Sequence, residues 1–246
     1  MTRSSSSAIA WPVERLTGTG PLLLLCDHAS AAVPSDLDLR IAPALLTHHI
    51  AVDIGAAALT RAIAARLTAP ALLACVSRLV IDLNRPTDHP GLIPCISDGH
   101  AIPGNADADR LDRIARFHMP YHNAIAAQVR GQRPLLIAAI HSFTPALESG
   151  SAPRPWPVAI LSNRDRRAAD AALARLRADG VLVGDNEPYS GRELNMTLNR
   201  HAEGNGIASL SIEVRNDGID TDAGVAHWAD RLSAVLQAII CTLAPA

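Results

Sequence analysis

The sequence predicts a single α/β domain, a three-layer α/β/α sandwich around a mixed, largely parallel central sheet. Three observations carry that prediction. Short continuous apolar runs recur along the chain, as buried strands require. Segments rich in alanine and other helix formers, apolar at helical spacing, separate them. The 246 residues are 48% apolar, which suits one domain able to bury a large core without cross-links. Strands alternating with helices then place helices on both faces of one sheet.

The elements follow in order. Residues 1–19 are Ser- and Gly-rich and predict a flexible lead-in, leaving 20–246 as the domain. Pro21 to Cys26 (PLLLLC) is the first buried strand. Residues 43–67 read as a long helix, and Ala71 to Val76 and Leu79 to Ile81 as strands. The span 84–105 holds four prolines and three glycines and predicts a long loop, a length usually tied to function. Asp107 to Val129 reads as a helix interrupted or kinked at Pro120. Leu135 to Ile140 and Val158 to Leu161 are strands on either side of a Pro-rich loop, Thr144 to Pro157. Asp165 to Asp179 is a helix closed by Gly180. Val181 to Val183 and Ala208 to Val214 complete the strands, and Asp222 to Leu243 is an amphipathic closing helix.

Composition excludes several function classes. The net charge is −2, with no basic field to steer nucleic acid or an anionic membrane, so neither partner is expected. Every basic residue is arginine; without lysine there is no Schiff base, lysine general base or Walker-type phosphate lysine. The four cysteines (Cys26, Cys75, Cys95 and Cys241) form no C-x-x-C and read as residues of a reducing compartment. The first residues lack the apolar core of a secretory signal, and no apolar run approaches a membrane span. A cytoplasmic protein is expected.

In open α/β sheets the active site lies beyond the carboxyl ends of the strands. His28, His141 and Glu213 each end a separate apolar strand there. Asp53, near the start of the long helix, could join the two histidines as a third ligand; His49, four residues earlier, could replace or support it. Two imidazoles, one carboxylate and an open position form a hydrolytic zinc site, although other divalent ions accept the same donors. Glu213, left unligated, would be the general base. Each residue also has a plainer reading. A strand-end histidine can be a hydrogen-bonded structural residue, Asp53 a first-turn acid, and Glu213 the surface partner of Arg215. Ser142 lacks the G-x-S-x-G elbow of a serine hydrolase.

Nine segments in order, CDHASAAVP, HHIAVDIGA, SRLVIDLNRP, SDGHAIPGN, PYHNAI, IHSFTP, RPWPVAIL, VGDNEPYSG and IEVRND, together resemble the N-formylglutamate amidohydrolase family. The resemblance runs from about Leu22 to about Trp228. It implies a fold similar to zinc-dependent exopeptidases and bacterial cell-wall amidases. It further implies His28, Asp53 and His141 as zinc ligands and Glu213 as base. Two departures stand out: the amidases place Glu where this chain has the shorter Asp53, and His28 is followed by Ala31 rather than the Glu of an H-x-x-E.

The implied reaction turns N-formyl-L-glutamate into formate and L-glutamate, the end of one route of histidine degradation. A substrate with two carboxylates calls for the planar fork of arginine. Arg85 is the first candidate, with a pair to Asp82 as its alternative role, followed by Arg78, Arg154 and Arg215. Asn84 could bind substrate or cap a turn, and His201 could stabilise an oxyanion. Asn105, Tyr121, His122 and Tyr189 form a second rank. The alternatives are a deacylase of a different N-acyl compound and an inactive small-molecule binding homologue.

Overall fold

The structure, a computed structural model, describes residues 12–150 and 152–244. In chain order the strands and helices are β1 (Val13–Leu16), β2 (Leu22–Cys26), α1 (Ala56–Leu67), β3 (Ala71–Ala74), β4 (Ile96–Ser97), β5 (His100–Ala101), α2 (Arg110–Arg113) and α3 (Met119–Gln132). There follow β6 (Leu136–Phe143), β7 (Val158–Leu161), α4 (Arg167–Ala178), β8 (Val183–Asp185), α5 (Met196–His201), β9 (Ala208–Arg215) and α6 (Asp222–Leu243).

One seven-stranded sheet in the order β1-β3-β2-β6-β9-β7-β8 organises the chain. The central strands β3, β2, β6 and β9 run parallel, while β1 and the β7–β8 pair run antiparallel to them. This is the mixed, largely parallel α/β architecture that the sequence predicts. Alternate side chains divide into two cores. Leu22, Leu24, Ile140 and Ile212 pack under α1, α4 and α6, whereas Leu23, Leu25, Ile137 and Ala139 pack under α3 and α5. All five residues of β2 are buried. Each leucine so removed from water contributes roughly 1.5–3 kcal/mol, which fixes the strand's register and so the position of whatever follows it. Among the described residues, no helix is long and apolar enough to cross a membrane.

Several boundaries differ from the sequence reading. Val13–Leu16, expected in the flexible lead-in, pairs antiparallel with β3 as an edge strand; residues 1–11 of that segment lie outside the described residues. The long helix expected over 43–67 is a 3₁₀ turn at Pro43–Thr47 and then α1, with an irregular stretch between them. Gly55 starts α1 at φ +78, and a Cβ there would collide with the Ile219 carbonyl oxygen, so only glycine fits. Leu79–Ile81 is a buried turn rather than a strand. The Ser77 hydroxyl accepts from Leu79 N–H at 3.2 Å and its carbonyl accepts from Val80 N–H at 2.9 Å, which closes the chain on itself.

The 84–105 span carries the β4–β5 hairpin and two 3₁₀ turns. The interruption expected at Pro120 is a π-helical stretch, Ile114–His118, in the turn before it: Met119 N–H bonds the Ile114 carbonyl five residues back, and the helix runs on through Pro120, which has no N–H to donate. Gly180 closes α4 as expected: it sits at φ +75, and Val181 N–H reaches Leu176 O at 3.0 Å.

Candidate active site

β2, β6 and β9 end side by side at the carboxyl edge, and their ends build the site. His28 follows β2 by two residues. His141 and Glu213 lie within β6 and β9 and are register partners, so both side chains leave the sheet on the same face. Asp53 comes from the turn before α1 and is tied to this edge through its backbone, its N–H donating to the His28 carbonyl at 3.1 Å.

These residues converge. His141 Nδ1 lies 2.8 Å and His28 Nδ1 3.3 Å from the same oxygen, Asp53 Oδ2. The two imidazole rings meet edge to face with centroids 5.2 Å apart. All three donor atoms lie within 4.8 Å of one another, and all three residues are buried. His49 does not join this group: it lines the cavity beside it, with its Nε2 2.9 Å from Asp98 Oδ2.

Behind each imidazole stands a further carboxylate. His28 Nε2 donates to Asp82 Oδ1 at 2.8 Å. His141 Nε2 faces Asp27 Oδ2 at 3.6 Å, and the other Asp27 oxygen accepts the Tyr121 hydroxyl at 2.7 Å. Each histidine thus shows Nδ1 to the shared centre and Nε2 to an acid, the arrangement in which carboxylates orient metal-ligating imidazoles. Asp27 Oδ2 and His141 Nε2 are both buried without a hydrogen bond. These two orphaned atoms, with Asp53 and Glu213 buried beside them, make a donor set that a cation would suit.

The charges around the centre are strongly coupled. Burial opposes ionisation of Asp53, yet the His28 charge and hydrogen bonds from His141 and His28 hold its carboxyl far below the usual range. Asp82 is held well below it too, against burial, by the charges of His28 and Arg78. Burial would lower His141, but the Asp53 hydrogen bond and the Glu213 charge carry its pKa up to about 9. Burial raises the Glu213 carboxyl above the ordinary range, against the lowering pull of His141. Among the described residues, nothing hydrogen-bonds the Glu213 carboxylate, which faces a cavity of ≈ 210 Å³.

The arginines divide. Arg78 and Arg85 line that cavity. Arg78 bridges two acids, donating to Asp53 Oδ1 at 3.2 Å and to Asp82 Oδ2 at 2.9 Å. Arg85 approaches Asp82 only to 3.8 Å, which leaves its guanidinium open to the cavity. Arg154 and Arg215, expected as substrate clamps, are turned to the protein and are not among the cavity-lining residues. Arg154 donates to the Thr144 carbonyl and the Tyr189 hydroxyl. Arg215 pairs with Asp217 and donates to the Arg154 carbonyl, so it is not the partner of Glu213 either. Asn84 lines the cavity while its Oδ1 accepts from Thr197 N–H at 3.0 Å, capping α5 from outside.

His201 also departs from expectation. It stacks on His122 at 5.1 Å with a 2.9 Å nitrogen–nitrogen contact, away from the cavity. Asn105 bridges the Leu79 and Pro94 carbonyls and is structural. The Ser142 hydroxyl donates to the Ile54 carbonyl at 2.8 Å. Two acids that face the histidines, Asp27 and Asp82, escaped selection on sequence. Asp27 precedes His28 directly, but adjacency in a strand end does not reveal which imidazole an acid will face.

A His/Asp/His group that could hold a metal ion, with a buried glutamate beside it, sits at the carboxyl edge of the mixed α/β sheet. The chain belongs to the N-formylglutamate amidohydrolase family, which it matches over residues 20–220. It is similar to gene product Atu2144 from Agrobacterium tumefaciens, with TM-score 0.89 and 31% identity over 98% of each chain. It shares its fold with N-formylglutamate amidohydrolase from Ralstonia eutropha JMP134, with TM-score 0.69 and 21% identity over 94% of this chain and 98% of that one. No curated protein matches it.

Proposed function

We propose that this chain is a metal-dependent amidohydrolase that cleaves N-formyl-L-glutamate, or a closely similar N-acyl amino acid, to formate and the free amino acid. The observation that carries this reading is the convergence of His28, Asp53 and His141 with Glu213 unbonded beside them. The two Nδ1 atoms and Asp53 Oδ2 would hold the ion, zinc being the first candidate for two imidazoles and a carboxylate. A divalent metal held there supplies Lewis acidity and a lowered pKa for water.

The chain's own groups do the rest. Asp82 fixes the orientation of the His28 imidazole through its hydrogen bond, and Asp27 sets a carboxylate oxygen 3.6 Å from His141 Nε2. Glu213 accepts a proton from the attacking water and passes it to the amide nitrogen as the C–N bond breaks, a role suited by its raised pKa. Arg85 holds a substrate carboxylate, with Arg78 adding positive charge from its place between Asp53 and Asp82. In this reading the enzyme acts on a dissolved metabolite in the cytoplasm and closes a route of histidine degradation.

A panel of N-formyl and N-acetyl amino acids, assayed for amine release by protein of measured metal content, tests the proposal. Turnover of N-formyl-L-glutamate that disappears on chelation and returns with zinc is the expected result. Release from none of the panel by metal-loaded protein would contradict it.

A further inference from the structure

A second group of metal-ligand type lies at the rim of the cavity, built from His48, His100 and Glu148. The three come from distant parts of the chain: His48 closes the 3₁₀ turn Pro43–Thr47, His100 lies in β5, and Glu148 lies in the loop before β7. Glu148 divides its carboxylate between the imidazoles, with Oε1 3.1 Å from His48 Nδ1 and Oε2 2.8 Å from His100 Nε2. The three donor atoms lie within 4.8 Å of one another, as in the inner centre.

The local structure prepares this grouping. Asp98 and Gly99, at φ 43 and φ 82, form the two-residue turn of the β4–β5 hairpin, and the register sets His100 opposite Ser97. From the turn, Asp98 accepts the N–H groups of Glu148 at 2.8 Å and Ser149 at 3.0 Å. The hairpin therefore grips the backbone that carries Glu148 and delivers its carboxylate to His100. The side chains of His48, His100 and Glu148 are 37%, 30% and 46% exposed. Fixing three such side chains costs conformational entropy, and exposed ion pairs return only about 0–1 kcal/mol. Metal coordination returns far more.

We propose that His48, His100 and Glu148 form a second divalent-metal site, of two imidazoles and one carboxylate, that ties three loops together at the cavity mouth. The donor set selects zinc or a related transition ion over magnesium or calcium. Water completes the coordination, because the group faces solvent. His49, the neighbour of His48, and Thr144, from the Glu148 loop, both line the cavity, so the ion would hold the mouth in one shape.

The test is a calorimetric titration of the chelator-stripped full-length protein with Zn²⁺ at neutral pH, with bound metal measured after desalting. Two equivalents are expected for the wild type. His48→Ala, His100→Ala and Glu148→Gln should each lose one and keep the other, with unchanged far-UV circular dichroism. His28→Ala should lose the complementary equivalent, so a failure of the inner site is told apart from a failure of this one. Should one variant misfold, the other two still decide. A single equivalent in the wild type that the rim variants keep and His28→Ala loses, or a second one that persists in the folded rim variants, would overturn the proposal.

Discussion

His141 and Glu213 occupy paired positions on adjacent parallel strands, β6 and β9, and face the same cavity. Neighbouring strands lie about 4.8 Å apart, so an imidazole and a carboxylate are set side by side by the sheet itself. Neither can drift without breaking a ladder that is buried along its length. The hydrogen bond from His141 to Asp53 adds a third anchor, and Asp53 in turn is tied to His28.

The acids behind the histidines should govern metal affinity. Asp82→Asn keeps the shape but removes the charge that receives His28 Nε2–H and pairs with Arg78. Zinc affinity, measured by competition with a chromophoric chelator, should fall about 10–100-fold, the usual effect of losing such a partner. An unchanged affinity would show that His28 needs no orienting acid.

Arg85 should set substrate choice. Arg85→Ala is expected to raise KM strongly for N-formyl-L-glutamate and much less for an N-formyl amino acid with a neutral side chain. Equal losses on the two substrates would assign Arg85 to support of Asp82, which it approaches to 3.8 Å. Arg154→Ala and Arg215→Ala, whose targets are turned to the protein, should shift KM for both substrates alike.

Acid should weaken the fold through the buried histidine stack. Burial, followed by the nearby charges of Arg200 and His118, lowers the His201 pKa to about 4, and burial puts His122 well below its ordinary value. These imidazoles are neutral when folded and bind protons more readily when unfolded. Their contribution is therefore complete above about pH 6.5, the unfolded value, and is lost as pH falls towards the folded values. Urea midpoints for the metal-loaded protein should drop between neutral pH and pH 5, and His201→Gln should flatten that slope. A slope untouched by the substitution would place the acid sensitivity elsewhere.

The parts of this site legible in the sequence were those fixed by strand ends. Four leucines in a row before Cys26 admit one buried strand, so His28 falls at its end; the same holds for His141 and Glu213. Asp53 was legible as a residue but not in its setting, because the helical pattern of 43–67 hides a break that the left-handed Gly55 imposes. Leu79–Ile81 misled because a short apolar run does not distinguish a strand from a buried turn; the deciding group was the Ser77 side chain. The arginines were least legible. Charge type shows what a guanidinium can hold, but Arg154 and Arg215 spend theirs on carbonyls, a tyrosine and an aspartate, which only tertiary packing brings near.

In the proposed reaction Glu213 moves the proton while His28, Asp53 and His141 hold the ion. The most direct measurement is turnover of N-formyl-L-glutamate by Glu213→Gln, with its metal content determined on the same preparation. Glutamine preserves the size and polarity of a side chain that makes no hydrogen bond among the described residues, so folding and metal content should match the wild type. Activity should fall roughly 10²–10⁴-fold, the share that a positioned acid–base group contributes. His28→Ala, as the control, should lose metal and activity together. A Glu213→Gln enzyme with full metal and near-wild-type turnover would contradict the account.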